Sequence, residues 1–149
     1  MVDNHNSAEE VSGASNANVV RTLLQALQDE DYSLAESLLA PELIYHNVGL
    51  PPLQGPEVPM RMFRWMEGKI GTEIKLVSIV ANDFSVHTER VDAMVFGPFR
   101  MQFWVCGIFQ VQEGKVRLWR DYADVFSIFI KAPVRAILGA IIPAVRPKF

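Results

Sequence analysis

The segment from Ile70 to Tyr122 constrains this chain more than any other, because it reads as four strands joined by turns short enough to force antiparallel hairpins. Ile70 to Ala81 is rich in β-branched residues and stops at Asn82-Asp83. Val86 to Phe96 follows, then Gly97-Pro98, then Phe99 to Val111, and Glu113-Gly114 leads into Val116 to Tyr122. Along Phe99–Val111 the odd positions Phe99, Met101, Phe103, Val105, Gly107, Phe109 and Val111 are apolar or glycine. The even positions include Arg100, Gln102 and Gln110. Side chains alternate across a strand, so the odd set defines an interior face.

Helices precede this meander. Val20, Leu23, Leu24 and Leu27 fall on one helical face. Ser33 and Glu36 have capping-box spacing, which predicts a short helix running to Leu39 and ended by Pro41. Leu43–Val48 reads as extended and Gly49–Gly55 as a loop; Pro56–Glu67 reads as a third helix stopped by Gly68. An apolar helical stretch, which Pro133 should kink or divide, closes the chain as a lid or a dimer contact.

Helices followed by a long antiparallel run predict an α+β domain. The expected form is a curved, mostly antiparallel sheet shaped as a cone around one deep apolar cavity, closed by the N-terminal helices and a C-terminal helix. Residues 1–15, rich in Asn, Ser and Glu, are expected to be disordered, and 16–149 to form a single domain.

Composition excludes several functions. The net charge is −3 and the basic residues are scattered, which argues against a nucleic-acid partner. Cys106 is the lone cysteine, so no disulfide framework exists and a cytoplasmic location is expected. Met1–Asn18 lacks the basic and apolar regions of a secretory signal. The apolar run Val125–Val145 is interrupted by Lys131, Pro133, Arg135 and Pro143, so no transmembrane segment is expected. His5, His46 and His87 are too scattered for a metal site, and no phosphate-binding glycine loop or nucleophile elbow occurs. Neither metal nor cofactor is therefore expected.

Chemistry concentrates in three extended segments. Arg90 and Asp92 are two apart on Val86–Phe96, so they share a face with Val86, Thr88, Met94 and Phe96. Asp121 shares a face with Trp119, and Tyr45 with Asn47. Each pair alone reads more simply as a solvated patch on a two-sided sheet.

Taken together, YHNVG (Tyr45–Gly49), TERVD (Thr88–Asp92) and WRDY (Trp119–Tyr122) resemble the motifs of the limonene-1,2-epoxide hydrolase family, in order and at the family's separations. The likeness extends over roughly Val19–Val125, and FWVCG (Phe103–Gly107) is similar to mycobacterial-type members. The resemblance implies a cystatin-like or NTF2-like cone and a homodimer. It also implies hydrolysis of a lipophilic epoxide to a vicinal diol by direct attack of water, without a covalent intermediate. On that basis Asp121 is the base, Tyr45 and Asn47 hold the water, Asp92 is the acid and Arg90 bridges the two carboxylates. Met94, Phe96, Phe103, Val105 and Met66 are the expected substrate-binding residues. The C-terminal region from Phe126 departs from the limonene enzyme.

The chemistry is sound on its own terms. Water is a poor nucleophile and an alkoxide a poor leaving group, so a base at one end and an acid at the other each contribute ~10²–10⁴-fold. Two other functions fit a cone-shaped domain: a ketosteroid-isomerase-like enzyme, and a binding module for a lipophilic ligand such as a steroid. Arg90 speaks against the first, which needs no cation between its carboxyl groups. The cost of burying charges without purpose speaks against the second.

Overall fold

The computed structural model describes residues 3–124, 130–146 and 148. In chain order the elements are α1 (Asp3–Gln28), α2 (Tyr32–Ser37), β1 (Leu39–Asn47), β2 (Leu53–Gln54), α3 (Glu57–Met66), β3 (Gly71–Ala81), β4 (Val86–Phe96), β5 (Phe99–Gln112), β6 (Lys115–Ala123) and α4 (Ala132–Ile141). The turns form where the expected residues stand. Glu113 and Gly114 both adopt positive φ, 52° and 73°, the handedness a two-residue hairpin needs to match strand twist. Asn82 Oδ1 accepts hydrogen bonds from the backbone of Phe84 and Ser85, both at 2.8 Å, and so closes the β3–β4 turn.

The strand order is β2-β1-β6-β5-β4-β3. The β3–β6 meander is antiparallel throughout, as expected. β1 pairs parallel with β6, bringing Tyr45 beside Trp119 and Asn47 beside Asp121. No turn signal could announce that pairing, because β1 and β6 are far apart in sequence. Register shifts interrupt the ladders between Leu76 and Ser78, between Gln110 and Val111, and between Leu39 and Ile44. Such irregularities bend strands and curve the sheet into an open cone. Val20, Leu23, Leu24 and Leu27 of α1 are all buried, in one core with Val86, Phe109, Val116 and Trp119. Each such side chain contributes about 1.5–3 kcal/mol by leaving water.

Three local expectations are corrected. The N-terminal segment is helical from Asp3 rather than disordered to residue 15. Its docking explains this: Gly13 is buried where an added Cβ would stand 3.1 Å from the Ala81 carbonyl oxygen, and Asn16 Nδ2 donates to the Asn82 and Asp83 carbonyls, each at 3.4 Å. The cap of α2 is Asp31 rather than Ser33; Asp31 Oδ1 accepts from the Leu34 amide at 3.0 Å. Pro41 lies inside β1 instead of ending a helix, and its missing N–H falls where the β1–β6 ladder slips.

At the C-terminus, Pro133 sits in the first turn of α4, where its missing N–H costs nothing, and α4 packs along β5. Residues 125–129 of the apolar run lie outside the described residues. Among the described residues, no helix is long and apolar enough to cross a membrane.

The cap assignment is testable by thermal or denaturant unfolding. Asp31→Ala is expected to cost ~1 kcal/mol, and Ser33→Ala no more than about 0.5 kcal/mol. Equal losses would contradict the capping geometry.

Candidate active site

The site is laid out by strand register. One row across the sheet runs Asn47, Asp121, Gly107, Thr88 over β1, β6, β5 and β4. On β4 the next residue of the same face is Arg90, followed by Asp92. Arg90 is 2% exposed and is one of the largest fully buried side chains of the molecule. Its guanidinium joins both carboxylates. Nε donates to Asp92 Oδ1 at 3.1 Å and Oδ2 at 3.0 Å, and Nη2 donates to Asp121 Oδ2 at 2.5 Å. Nη1 lies 3.4 Å from Thr88 Oγ1, which is in turn 3.5 Å from the Gly107 carbonyl oxygen.

Gly107 makes this crossing possible. A Cβ built there would lie 2.6 Å from Arg90 Nη1, 2.6 Å from Thr88 Oγ1 and 2.8 Å from Phe109 Cε2. Any side chain would therefore occupy the volume through which the guanidinium reaches Asp121. From the sequence, Gly107 and Thr88 are merely members of interior faces. Their roles in holding Arg90 emerge only from the cross-strand register, although a lone glycine amid large apolar residues was the available signal.

The electrostatics follow from burial. Burial alone would lower the pKa of Arg90, but the Asp121 and Asp92 carboxylates outweigh it and the net shift is upward, so Arg90 stays charged. Burial pushes the Asp92 carboxyl up to about 6; Arg90 opposes the rise and Asp121 adds to it. Burial likewise pushes the Tyr45 hydroxyl up to about 12, with Asp121 adding to the rise and a hydrogen bond with the Asn47 side chain opposing it. Tyr45 is braced edge-on against Trp119, with ring centroids 4.9 Å apart. Phe63 of α3, which the sequence reading did not single out, stacks on the same indole at 6.1 Å. Asp121 Oδ1 is buried and makes no hydrogen bond among the described residues.

Tyr45, Asn47, Arg90, Asp92 and Asp121, expected from three separate segments, are thus gathered in one place. The apolar residues divide. Phe103 pairs across from Asp92 and Val105 across from Arg90, so both adjoin the charged cluster. Met94 is the next residue along that face and is part-buried. Met66 is buried at the end of α3. Phe96 is half-exposed at the tip of the β4–β5 hairpin, stacked on Phe99 at 5.4 Å, about 13 Å along the strand from Asp92. It belongs to the rim. Trp65 and Met62 of α3 are exposed, and Lys69 Nζ covers the Trp65 ring. Cys106 is exposed on the opposite face of β5, as alternation predicted. Among the described residues, no group of three His, Cys, Asp or Glu side chains could hold a metal ion.

A curved sheet with a buried cation between two carboxylates, beside a tyrosine and an asparagine, defines a cone-fold protein equipped for proton transfer. Comparison with known proteins narrows the class. Residues 14–135 match the family model described as the limonene-1,2-epoxide hydrolase catalytic domain, and the chain belongs to that family. It is 40% identical over 127 residues to the epoxide hydrolase EphG of Mycobacterium tuberculosis, covering 85% of each chain. It superposes with a TM-score of 0.86 on a solved LEH-like epoxide hydrolase of M. tuberculosis, at 37% identity over 92% of this chain and 97% of the other. An NTF2-like protein of Burkholderia xenovorans shares the fold alone, with a TM-score of 0.63 at 16% identity over 83% of this chain and 96% of the other.

Two outcomes are expected from this geometry. Gly107→Ala should displace the Arg90 guanidinium and lower catalytic turnover at least tenfold, since a misplacement of about 1 Å can cost ~10²-fold. Full activity in that variant would show that the crossing is not required. Asp92→Asn should make the protein more stable than its parent above pH 6. The folded-state pKa of Asp92 is raised, so its favourable contribution is complete below about pH 4 and is lost as pH rises through about 6. The rise from the ordinary carboxylate range to about 6 corresponds to roughly 3 kcal/mol. Thermal melts from pH 4 to pH 8 check this, and a parent-to-variant difference that stays constant with pH contradicts it.

Proposed function

We propose that this chain hydrolyses a lipophilic epoxide to a vicinal diol in one step, with Asp121 as base and Asp92 as acid. The class is carried by the family: the chain is an epoxide hydrolase of the limonene-1,2-epoxide hydrolase type. The mechanism rests on one observation, the Arg90 bridge between two carboxylates held together out of water; burial supports it by pushing the Asp92 carboxyl up to about 6. The second oxygen of Asp121, buried and without a hydrogen bond among the described residues, is the acceptor for a proton of water. Tyr45 and Asn47 stand beside it and hold that water.

In the reaction, Asp121 takes a proton as the water oxygen bonds to one epoxide carbon. The ring C–O bond breaks, and its electron pair takes the proton of Asp92. Asp121 ends protonated and Asp92 ionised, and solvent exchange restores both. Arg90 keeps the pair oriented and stabilises the single negative charge as it passes from Asp121 to Asp92. Two simultaneous proton transfers account for about 5–10 kcal/mol of the barrier. Phe103, Val105, Met94 and Met66 form the apolar wall against which the substrate carbon skeleton lies, with Phe96 at its rim. A cytoplasmic homodimer completes this reading.

A single turnover in ¹⁸O-labelled water with enzyme in excess tests direct attack. The expected product is fully labelled diol with unlabelled protein, and Asp121→Asn should lower kcat by at least ~10²-fold while the fold persists. Unlabelled first-turnover diol, or label in a peptide containing Asp92 or Asp121, would establish an ester intermediate instead. The kcat/KM profile should fall as pH rises above about 6, as Asp92 loses the proton it donates.

A further inference from the structure

The C-terminal helix is packed the reverse way round from a helix that only closes a core. Ala132, Ala136 and Gly139 of α4 face inward and are buried. Val134, Ile137, Leu138 and Ile141 recur at helical spacing on the outer side; each is about half exposed or more, and Ile141 reaches 73%. Ile142 and Val145 continue the stripe past the helix end and are also exposed. α4 packs along β5 with Ala132 and Ala136 buried, Gly139 lies against the Arg146 backbone of the following turn, and the large aliphatic residues remain outside. A contiguous apolar surface of this kind marks an interaction site.

Charge identifies the occupant. Of the 14 Lys and Arg residues in the chain, four lie beyond Asp124 (Lys131, Arg135, Arg146 and Lys148), whereas none of its 17 Asp and Glu residues does. A wholly basic end thus belongs to a chain whose net charge is −3. We propose that α4 and the turn after it dock in the plane of an anionic phospholipid surface. The aliphatic stripe enters the acyl boundary, and Arg135 and Arg146 meet headgroup phosphates. Among the described residues no helix spans a bilayer; the 10 residues of α4 extend about 15 Å against a hydrocarbon core of about 30 Å. A second copy on this face would bring two basic segments together, and that like-charge juxtaposition is unfavourable. An anionic surface turns the same charges into an attraction. The inference concerns the outward side of α4, which carries none of the site residues, and stands whether or not the hydrolase mechanism does.

The full chain is tested by co-sedimentation with vesicles of phosphatidylcholine alone and of equal parts phosphatidylcholine and phosphatidylglycerol. Binding is expected to the mixed vesicles, to weaken with added salt, and to be absent with phosphatidylcholine alone. Ile137→Glu with Ile141→Glu should reduce it at least tenfold, and Arg135→Ser about fivefold. These exposed positions leave the far-ultraviolet circular dichroism and the hydrolysis of a water-dissolved epoxide unchanged. A parent that ignores both vesicle types, or a double-Glu variant that binds like its parent, overturns the proposal. A parent dimer that ignores vesicles and becomes monomeric on the double substitution assigns the face to a second copy.

Discussion

The guanidinium of Arg90, buried beneath a curved sheet, is the constraint on which the rest of the site depends. Removing an ion from water costs several kcal/mol even after the protein relaxes, and three ionisable groups are buried together here. Arg90 meets that cost by directing Nε to one carboxylate and Nη2 to the other. A guanidinium can serve two acceptors along different edges in fixed directions, whereas an ammonium would present a single point charge. Gly107 and Thr88 supply the space and the polar contact that hold it there.

One cation among two carboxylates leaves a net negative charge when both are ionised. The proton retained by Asp92 to about pH 6 neutralises the cluster. The same imbalance that weakens the fold at neutral pH therefore keeps an acid in place beside a carboxylate base. A fully paired cluster would be more stable and would have no proton to donate. Stability and chemistry oppose one another at a single side chain, which is common where a functional group is buried.

The outer surface carries a second asymmetry. Phe109 and Trp119 of the sheet turn their large side chains into the core. On α4 the small residues face the protein and the large ones face away. The inward side of the helix is filled by Ala132 and Ala136, with Gly139 against the Arg146 backbone, which frees its aliphatic stripe for another partner. That division gives the molecule a catalytic interior and a separately specified exterior face.

Much of this was determined locally. The β3–β6 meander follows from Asn82, Gly97 and the Glu113-Gly114 pair, because a tight turn leaves the next strand nowhere else to pair. Arg90 and Asp92 share a face by the two-residue period alone, and spacing together with the motif resemblance nominated Tyr45, Asn47 and Asp121. What the sequence could not determine was decided by contacts between distant segments. The parallel seating of β1 on β6 sets Asn47 beside Asp121, and no local signal encodes it. The Gly107 gap has meaning only once β4 and β6 flank β5. The helical N-terminus depends on Gly13 meeting the β3–β4 turn, and the exposure of Trp65 depends on which side of α3 faces the core. Local propensity and alternation act over a few residues. Register between separate strands, and the fields of buried charges, are properties of the assembled sheet.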